Sequence, residues 1–91
     1  MPKRTPIVLV FDVEPDEREV SKDARPDWLG FERLVEWIRP RRAALRRATG
    51  QRVVFNWALR LDEQIAVTYG RPDWPVVRYR ALIEELLHEG D

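Results

Sequence analysis

The sequence has 91 residues, of which 16 are Lys or Arg and 16 are Asp or Glu, and it contains no cysteine. A chain of this length forms one domain with a small core, because it buries only about 60–65% of the surface that it exposes when unfolded. Its balanced charge gives no general affinity for nucleic acids or charged membranes. The lack of cysteine excludes disulfides and cysteine-ligated zinc, and no apolar stretch suits a signal peptide or a membrane span. We therefore expect a cytoplasmic protein with no membrane partner.

The first half of the chain predicts a strand, a loop and a helix. The uninterrupted apolar run 7–11 is typical of a strand that is buried on both faces, as in a parallel sheet. Residues 14–27 are charged, contain prolines and lack a hydrophobic period, which predicts a long loop. From Phe31 onward apolar residues recur at helical spacing, so we expect a helix that is kinked or restarted at Pro40 and ended by Gly50.

The second half predicts a strand over 53–59, a short helix over 62–68 and a last helix over 75–88. This order of strand, helix, strand and helix implies parallel strands that are joined by a right-handed crossover. The predicted fold class is therefore α/β, a parallel β-α-β-α unit. It forms either a single domain over 1–91 or the N-terminal fragment of a larger domain.

The sequence contains one internal repeat. The tetrapeptide Arg-Pro-Asp-Trp occurs at 25–28 and again at 71–74, each time ahead of a predicted helix. The same offset of 46 residues lays the first strand, 7–12, over the second, 53–58. Aspartate at a helix start can accept hydrogen bonds from free backbone N–H groups, so the repeat indicates either helix-start chemistry used twice or a duplicated strand-helix unit.

Candidate site residues follow the two strands, because ligands of parallel α/β sheets bind beyond the carboxyl ends of the strands. The first strand delivers Asp12, Glu14 and Asp16, and the second delivers Trp57, Arg60 and Asp62. Two carboxylates two residues apart share a face of an extended chain, where they can bind a cation or raise each other's pKa. The alternative is that they are ordinary acids of a solvated turn. An indole can stack on a sugar ring, so we take Trp57, Arg60 and Asp62 as candidate substrate contacts.

Three segments carry a resemblance to a known family. Residues 8–14 resemble the first-strand motif of the polysaccharide deacetylase (NodB-like) family, an apolar strand that ends in Asp-Asp or Asp-x-Asp/Glu. Residues 55–62, with Tyr69-Gly70, resemble a second-strand segment of some members, and residues 88–91 resemble the approach to the third strand. The resemblance implies the first part of a deformed (β/α) barrel that uses a divalent metal, usually zinc, to remove acetyl groups from N-acetylated sugars.

The resemblance also implies residue roles. Asp12 would be the general base and Glu14 the carboxylate ligand of the metal, acting on a carbohydrate substrate. The family completes its metal site with an H-x-x-x-H motif, whereas the only histidine in this sequence is His88, at the end of the last predicted helix. Because a catalytic zinc site needs three protein ligands, we expect a segment of a hydrolase that lacks the histidine ligands: the intact family site would hold a divalent metal, usually zinc, and this chain alone would not hydrolyse its substrate efficiently.

Two other classes remain open from the sequence. The first is a non-catalytic α/β association module, because two strands with exposed edges are poorly stable alone and could form a homo-oligomer through a sheet edge. The second is a receiver-like domain, in which an acidic pair at 12–14 would hold magnesium. The expected strand 53–59 does not end in the phosphoacceptor aspartate that receivers require.

A polyanion-binding surface is the last alternative. Between Trp37 and Leu61 the sequence has no acid, and Arg39, Arg42 and Arg46 would share one stripe of the first helix. Such a stripe could contact phosphates. The competing interpretation is an exposed helix face whose arginines pair with the acids of 14–36, and on this interpretation no nucleic-acid partner is expected.

Overall fold

The computed structural model describes residues 8–16 and 26–91. Two strands and four helices follow each other in this part of the chain: β1 Val10–Val13, α1 Leu29–Thr49, β2 Asn56–Leu59, α2 Glu63–Tyr69, α3 Trp74–Arg78 and α4 Arg80–His88. β1 and β2 form a parallel pair in which Val10 lies opposite Asn56. The predicted α/β class and the parallel strand order are confirmed. No helix of the described ranges is long and apolar enough to cross a membrane.

Helix α1 is continuous over 21 residues, with Pro40 inside it. The predicted kink or restart at Pro40 therefore does not end the helix. Ile38 and Arg42, on either side of the proline, are both buried, so packing holds the two turns together despite the lost backbone hydrogen bond. The helix ends as predicted at Gly50, whose φ of 64° suits glycine and whose N–H bonds to the Arg46 carbonyl.

The expectation that the first strand is buried on both faces is wrong. Val8 is 71% exposed and Val10 is 59% exposed, whereas Val13 is buried. The helices of the described residues pack on only one face of the sheet, so the residues that alternate to the other face are accessible to solvent in this part of the chain. We call this second surface the bare face, and it carries Val10, Asp12, Asn56 and Ala58.

The core formed by the described residues lies on the other side, which we call the helix face of the sheet. It is formed by buried side chains from β1, the helices and the residues beside them: Val13, Trp28, Phe31, Val35, Ile65, Tyr79 and Leu86. Trp28 is fully buried, and its backbone N–H donates to the Tyr79 hydroxyl at 2.6 Å. That hydroxyl donates in turn to Glu32 at 2.9 Å. Burial is the main reason why the pKa of Tyr79 is raised.

The last predicted helix, 75–88, is two helices that separate at Tyr79. Tyr79 has non-helical angles of φ −107° and ψ 24°, which accompany the insertion of its ring against Phe31 at a centroid distance of 5.2 Å. The prediction of one helix is wrong here because apolar periodicity continues across the break. Packing of a single large side chain decides where the backbone turns.

The repeat has a structural counterpart, but its aspartates do not cap helices. Asp27 pairs with Arg78 at 2.5 Å, and Asp73 accepts hydrogen bonds from Arg71. Neither side chain caps a helix, because an arginine occupies each carboxylate. The first residue of the first tetrapeptide and much of the predicted loop, 17–25, lie outside the described residues. The sheet register, with Val10 opposite Asn56, equals the repeat offset, which agrees with a duplicated strand-helix unit.

Candidate functional site

The carboxyl end of the sheet presents Asp12 and Glu14 to solvent. Asp12 lies on the bare face near the end of β1, and Glu14 follows the last residue of the strand; both are exposed. Neither side chain makes a hydrogen bond or an ion pair with any described residue. Two free carboxylates at this end of a parallel strand form the arrangement that the sequence predicted, and they remain available for a ligand.

Arg60 lies next to these carboxylates because its backbone N–H donates to the carbonyl of Val13 at 3.0 Å. The pKa of Arg60 is raised, first by its hydrogen bond to Asp62 and also by the negative charges of Asp62 and Glu14. The predicted proximity of Glu14 and Arg60 is therefore present. A cation beside a free carboxylate can orient an anionic or a hydroxyl-rich ligand.

The Asp62 side chain caps the start of α2. One of its carboxylate oxygens accepts from the Ile65 N–H at 3.0 Å, and the other accepts from the Arg60 guanidinium at 2.7 Å. Both hydrogen bonds lower the pKa of Asp62, and the hydrogen bond from Arg60 has the larger effect. Asp62 lies at the predicted end of the sheet, but both of its oxygens are engaged in capping and pairing.

Trp57 lies on the opposite side of the sheet from Asp12. Its ring is on the helix face, 4.9 Å from Phe11 and 5.7 Å from Phe31 between centroids. Its indole N–H donates to Asp91 at 2.9 Å. The structure therefore does not bring Trp57 together with the acidic strand end.

Asp16 has a structural partner that the sequence did not reveal. Its two carboxylate oxygens accept from the backbone N–H groups of Leu29 at 2.7 Å and Gly30 at 2.8 Å. The start of α1 is thus capped by a residue that follows β1, and this ties the strand end to the helix start. Of the three acids after the first strand, Asp16 is occupied, whereas Asp12 and Glu14 are not.

The amino end of the sheet contains a buried ion pair that sequence analysis missed. Arg42 and Asp91 have side chains that are only 5% and 1% exposed. They form two parallel hydrogen bonds, each 2.5 Å long, and Arg42 also donates to the Val53 carbonyl at 2.9 Å. Asp91 accepts further from the Phe55 N–H at 2.9 Å. The one available signal was the position of Arg42 four residues after Ile38, within the apolar stripe of α1.

This network sets the charge state of both partners. Burial alone would raise the pKa of Asp91, but hydrogen bonds from Arg42, Trp57 and the Phe55 N–H outweigh it and lower the pKa. The pKa of Arg42 is raised, chiefly by its hydrogen bond to Asp91. Both groups are therefore charged, and the network fastens the end of α4 to α1 and to the start of β2.

The arginine stripe of α1 is neutralised by the C-terminal helix and the residues after it. Arg39 pairs with Glu85 at 2.7 Å, and Arg46 pairs with Glu89 at 3.4 Å. Among the described residues this stripe pairs with Glu85, Glu89 and Asp91, which lie in and after α4, rather than with the described acids of the predicted range 14–36. With these partners in place, the stripe offers little free positive charge to a polyanion.

The metal implied by the resemblance needs more ligands than these residues supply. Within 8–16 and 26–91, no three His, Cys, Asp or Glu side chains come together. His88 is exposed in the last turn of α4, at the position that favours a cation near the helix dipole. Asp12 and Glu14 alone do not fit a zinc site, which takes three protein ligands.

Comparison with known proteins gives no relative: no family model matches the sequence, and neither a curated protein nor a solved structure matches it. Function is therefore inferred from the residues and from their geometry.

Proposed function

We propose that this chain supplies two strand-helix units of a larger (β/α) barrel, and that the completed barrel is a metal-dependent deacetylase of N-acetylated sugars, similar to the NodB-like family. The observation that carries this proposal is the one-sided sheet. The helices pack on one face, while Asp12 occupies the bare face near the carboxyl end of β1. In a (β/α) barrel the helices lie outside, the opposite sheet face lines the interior, and the catalytic residues lie at the carboxyl ends of the strands.

A doubly wound sheet is the main alternative architecture, and the described residues favour it less. Such a sheet carries helices on both faces. Here α1, α2 and α4 all contribute to one core, through Phe31, Ile65 and Leu86. The crossover helix and the later helices thus lie on the same side, as successive helices of a barrel do.

Within this proposal each free group at the strand end has a role. Asp12, directed to the interior of the barrel, would act as the general base toward the water that attacks the amide. Glu14 would be the carboxylate that this chain contributes to the metal, and the missing ligands would come from the polypeptide that extends the sheet. Arg60, beside Glu14, would contact the sugar. Trp57 lies on the helix face and takes no part in this arrangement.

A non-catalytic association module is the second candidate. It is favoured by the two sheet edges that no described residue pairs with and by the apolar side chains exposed near them. On this alternative Asp12 and Glu14 are solvated acids, and the chain binds no metal even when its sheet is extended.

Titration of the 91-residue chain with Co²⁺, a paramagnetic substitute for zinc, distinguishes the two candidates. We expect weak binding, because two carboxylates are fewer than a full ligand set, with NMR broadening confined to the amides of Asp12, Val13, Glu14 and Arg60. Glu14→Ala should abolish this broadening. Glu36→Ala, which removes an exposed glutamate from α1, is the matched control and should leave it unchanged. Equal broadening beside exposed acids throughout the chain, or none at all, would contradict the metal-binding part of the proposal.

A further inference from the structure

We propose that the free edge of β2 binds β1 of a second copy of this chain, parallel to β2 and in the register that already joins β1 to β2. The inference rests on the one-sided sheet of the proposed function and concerns what this chain does by itself, because a second copy again carries only His88 and would not supply the histidine ligands. It does not depend on the metal chemistry.

The backbone groups at the two free edges are complementary. The N–H groups of Asn56 and Arg60 donate to the carbonyls of Leu9 and Val13, at 3.1 and 3.0 Å. Successive residues of a strand point their backbone N–H and C=O groups to alternate sides. The backbone groups of Val10 and Asp12 therefore face away from β2. By the same alternation, residues 57 and 59 face away from β1. One molecule therefore exposes both halves of a parallel ladder.

The register of the existing pair predicts the register of the new one. Each β1 residue lies beside the β2 residue 46 positions later, as Val10 lies beside Asn56. The sequence repeat has the same offset of 46 residues. We therefore expect a β1 strand that is added at the free edge of β2 to keep this pairing, with Val10 of the second copy beside Asn56. A second copy in this register places the N–H and C=O groups of its Val10 between those of Phe55 and Trp57. Of these groups, the Phe55 N–H already bonds to Asp91, and the others are available for the ladder.

A groove beside the free edge of β2 fits the incoming side chain. It lies between β2 and α4 and has a volume of about 320 Å³. Apolar side chains, among them Phe31, Trp57 and Leu87, form most of its lining, and Asn56 and Asp91 complete it. Leu87 is 62% exposed at this groove. The side chain that a second copy would direct here is that of Phe11, which lies on its helix face and is half-buried, whereas Val13 is already buried in its own core. An apolar side chain would thus enter the apolar part of the groove.

A second groove on the far side of the chain is complementary to α4. It lies between β1 and α1, has a volume of about 540 Å³ and includes Leu9, Phe11, Trp37 and Leu45 in its lining. Arg41 lies at this groove, 3.8 Å above the Trp37 ring. Glu84 and Leu87 of α4 are exposed and three residues apart, so they share a helix face. In the proposed contact Leu87 would enter the groove of the second copy, and Glu84 would approach its Arg41.

The contact is head-to-tail, because one copy uses its β2 edge and the other its β1 edge. After each addition the assembly still has one free β1 edge and one free β2 edge, so further copies can bind until a ring closes. We therefore expect the chain to associate beyond a dimer.

Blocking the two edges separately tests this contact by light scattering and analytical ultracentrifugation in EDTA. Val10→Pro should block the β1 edge while keeping the pairing with β2, because the Val10 N–H faces outward. Leu87→Glu should block the β2 groove. Each variant alone should be monomeric, and an equimolar mixture should form a one-to-one heterodimer and nothing larger. Val67→Glu, at a 76% exposed position of α2, is the control and should associate like the wild type. Circular dichroism verifies that each variant is folded.

Two outcomes would overturn the inference. One is a wild-type chain that stays monomeric at every concentration. The other is dimerisation of Val10→Pro or Leu87→Glu alone, or a mixture that contains no heterodimer, since either shows that the two different edges do not bind each other. Because EDTA removes metal, these results are independent of the Co²⁺ titration. Failure of the contact and failure of the metal proposal can therefore be told apart.

Discussion

The two ends of the β1–β2 sheet hold their charges in opposite ways. At the amino end, Arg42 and Asp91 are buried and hydrogen-bonded to each other and to the backbone around β2. At the carboxyl end, Asp12 and Glu14 are exposed and have no hydrogen-bond partner among the described residues. Parallel α/β proteins use the amino end of the sheet for stability and the carboxyl end for chemistry. The difference between the ends indicates the same division here.

The largest expected effect comes from breaking the buried pair. Asp91→Ala leaves the buried Arg42 guanidinium with only the more distant Glu89 carboxylate, at 3.9 Å, and leaves the Phe55 N–H and the Trp57 indole without an acceptor. We expect the free energy of unfolding in urea to fall by about 3–5 kcal/mol, a large part of the stability of a small domain.

The matched control for this prediction is Glu85→Ala, which breaks the exposed pair with Arg39. Its two side chains are 49% and 47% exposed, so we expect a loss of about 0–1 kcal/mol. Similar losses for Asp91→Ala and Glu85→Ala would contradict the assignment of the amino end to stability.

The two ends were not equally predictable from the sequence. The apolar spacing of Phe31, Val35 and Ile38 predicted the buried face of α1, because that face is encoded by local periodicity. The positions of Asp12 and Glu14 followed from the strand order alone, since carboxyl ends of parallel strands lie at one edge. What periodicity cannot encode is a partner far away in the chain. Arg42 and Asp91 are separated by 49 positions, and nothing near either residue specifies the other.

The sheet face to which a strand side chain points was a second feature that the sequence did not predict. Trp57 was expected near the site because it comes late in the second strand, yet its alternation with Asn56 and Ala58 places it on the helix face. Alternation separates Trp57 from its neighbours but does not say which of the two faces the helices cover, and that is what the sequence left open. The start of the second strand was also expected three residues too early, at Val53 rather than Asn56, whereas its end was predicted correctly. The burial of the first strand was overestimated for a related reason. An apolar run does not show whether one or both sheet faces are covered.

An intermediate effect is expected from pH, and it also belongs to the amino end. The pKa of Asp91 is lower in the folded chain than in the unfolded chain, where it is about 3.9. The ionised carboxylate therefore stabilises the fold fully above about pH 4, and this contribution is lost as the pH falls through the folded-state pKa. We expect the urea midpoint of the wild type to fall as the pH drops below about 4 and through the folded-state pKa of Asp91.

Asp91→Asn removes this titration and serves as the comparison. It should be less stable than the wild type at neutral pH and should approach it at low pH, so the two curves converge. Parallel curves would show that Asp91 is not the group responsible and would move the acid sensitivity to exposed carboxylates such as Asp62 and Asp73, whose pKa values are also lowered.

The smallest effects lie at the carboxyl end, where Asp16 and Glu14 provide a matched pair two residues apart. Asp16→Ala removes the acceptor for two N–H groups at the start of α1, so we expect a loss of about 1 kcal/mol in the free energy of unfolding. Glu14→Ala removes no hydrogen bond, and we expect a change within about 0.5 kcal/mol, measured in the same urea titration. A loss at Glu14 as large as that at Asp16 would mean that the fold uses this carboxylate. A neutral result combined with loss of Co²⁺ broadening would identify a charge that is exposed at the strand end for a ligand, because folding then has no need of it.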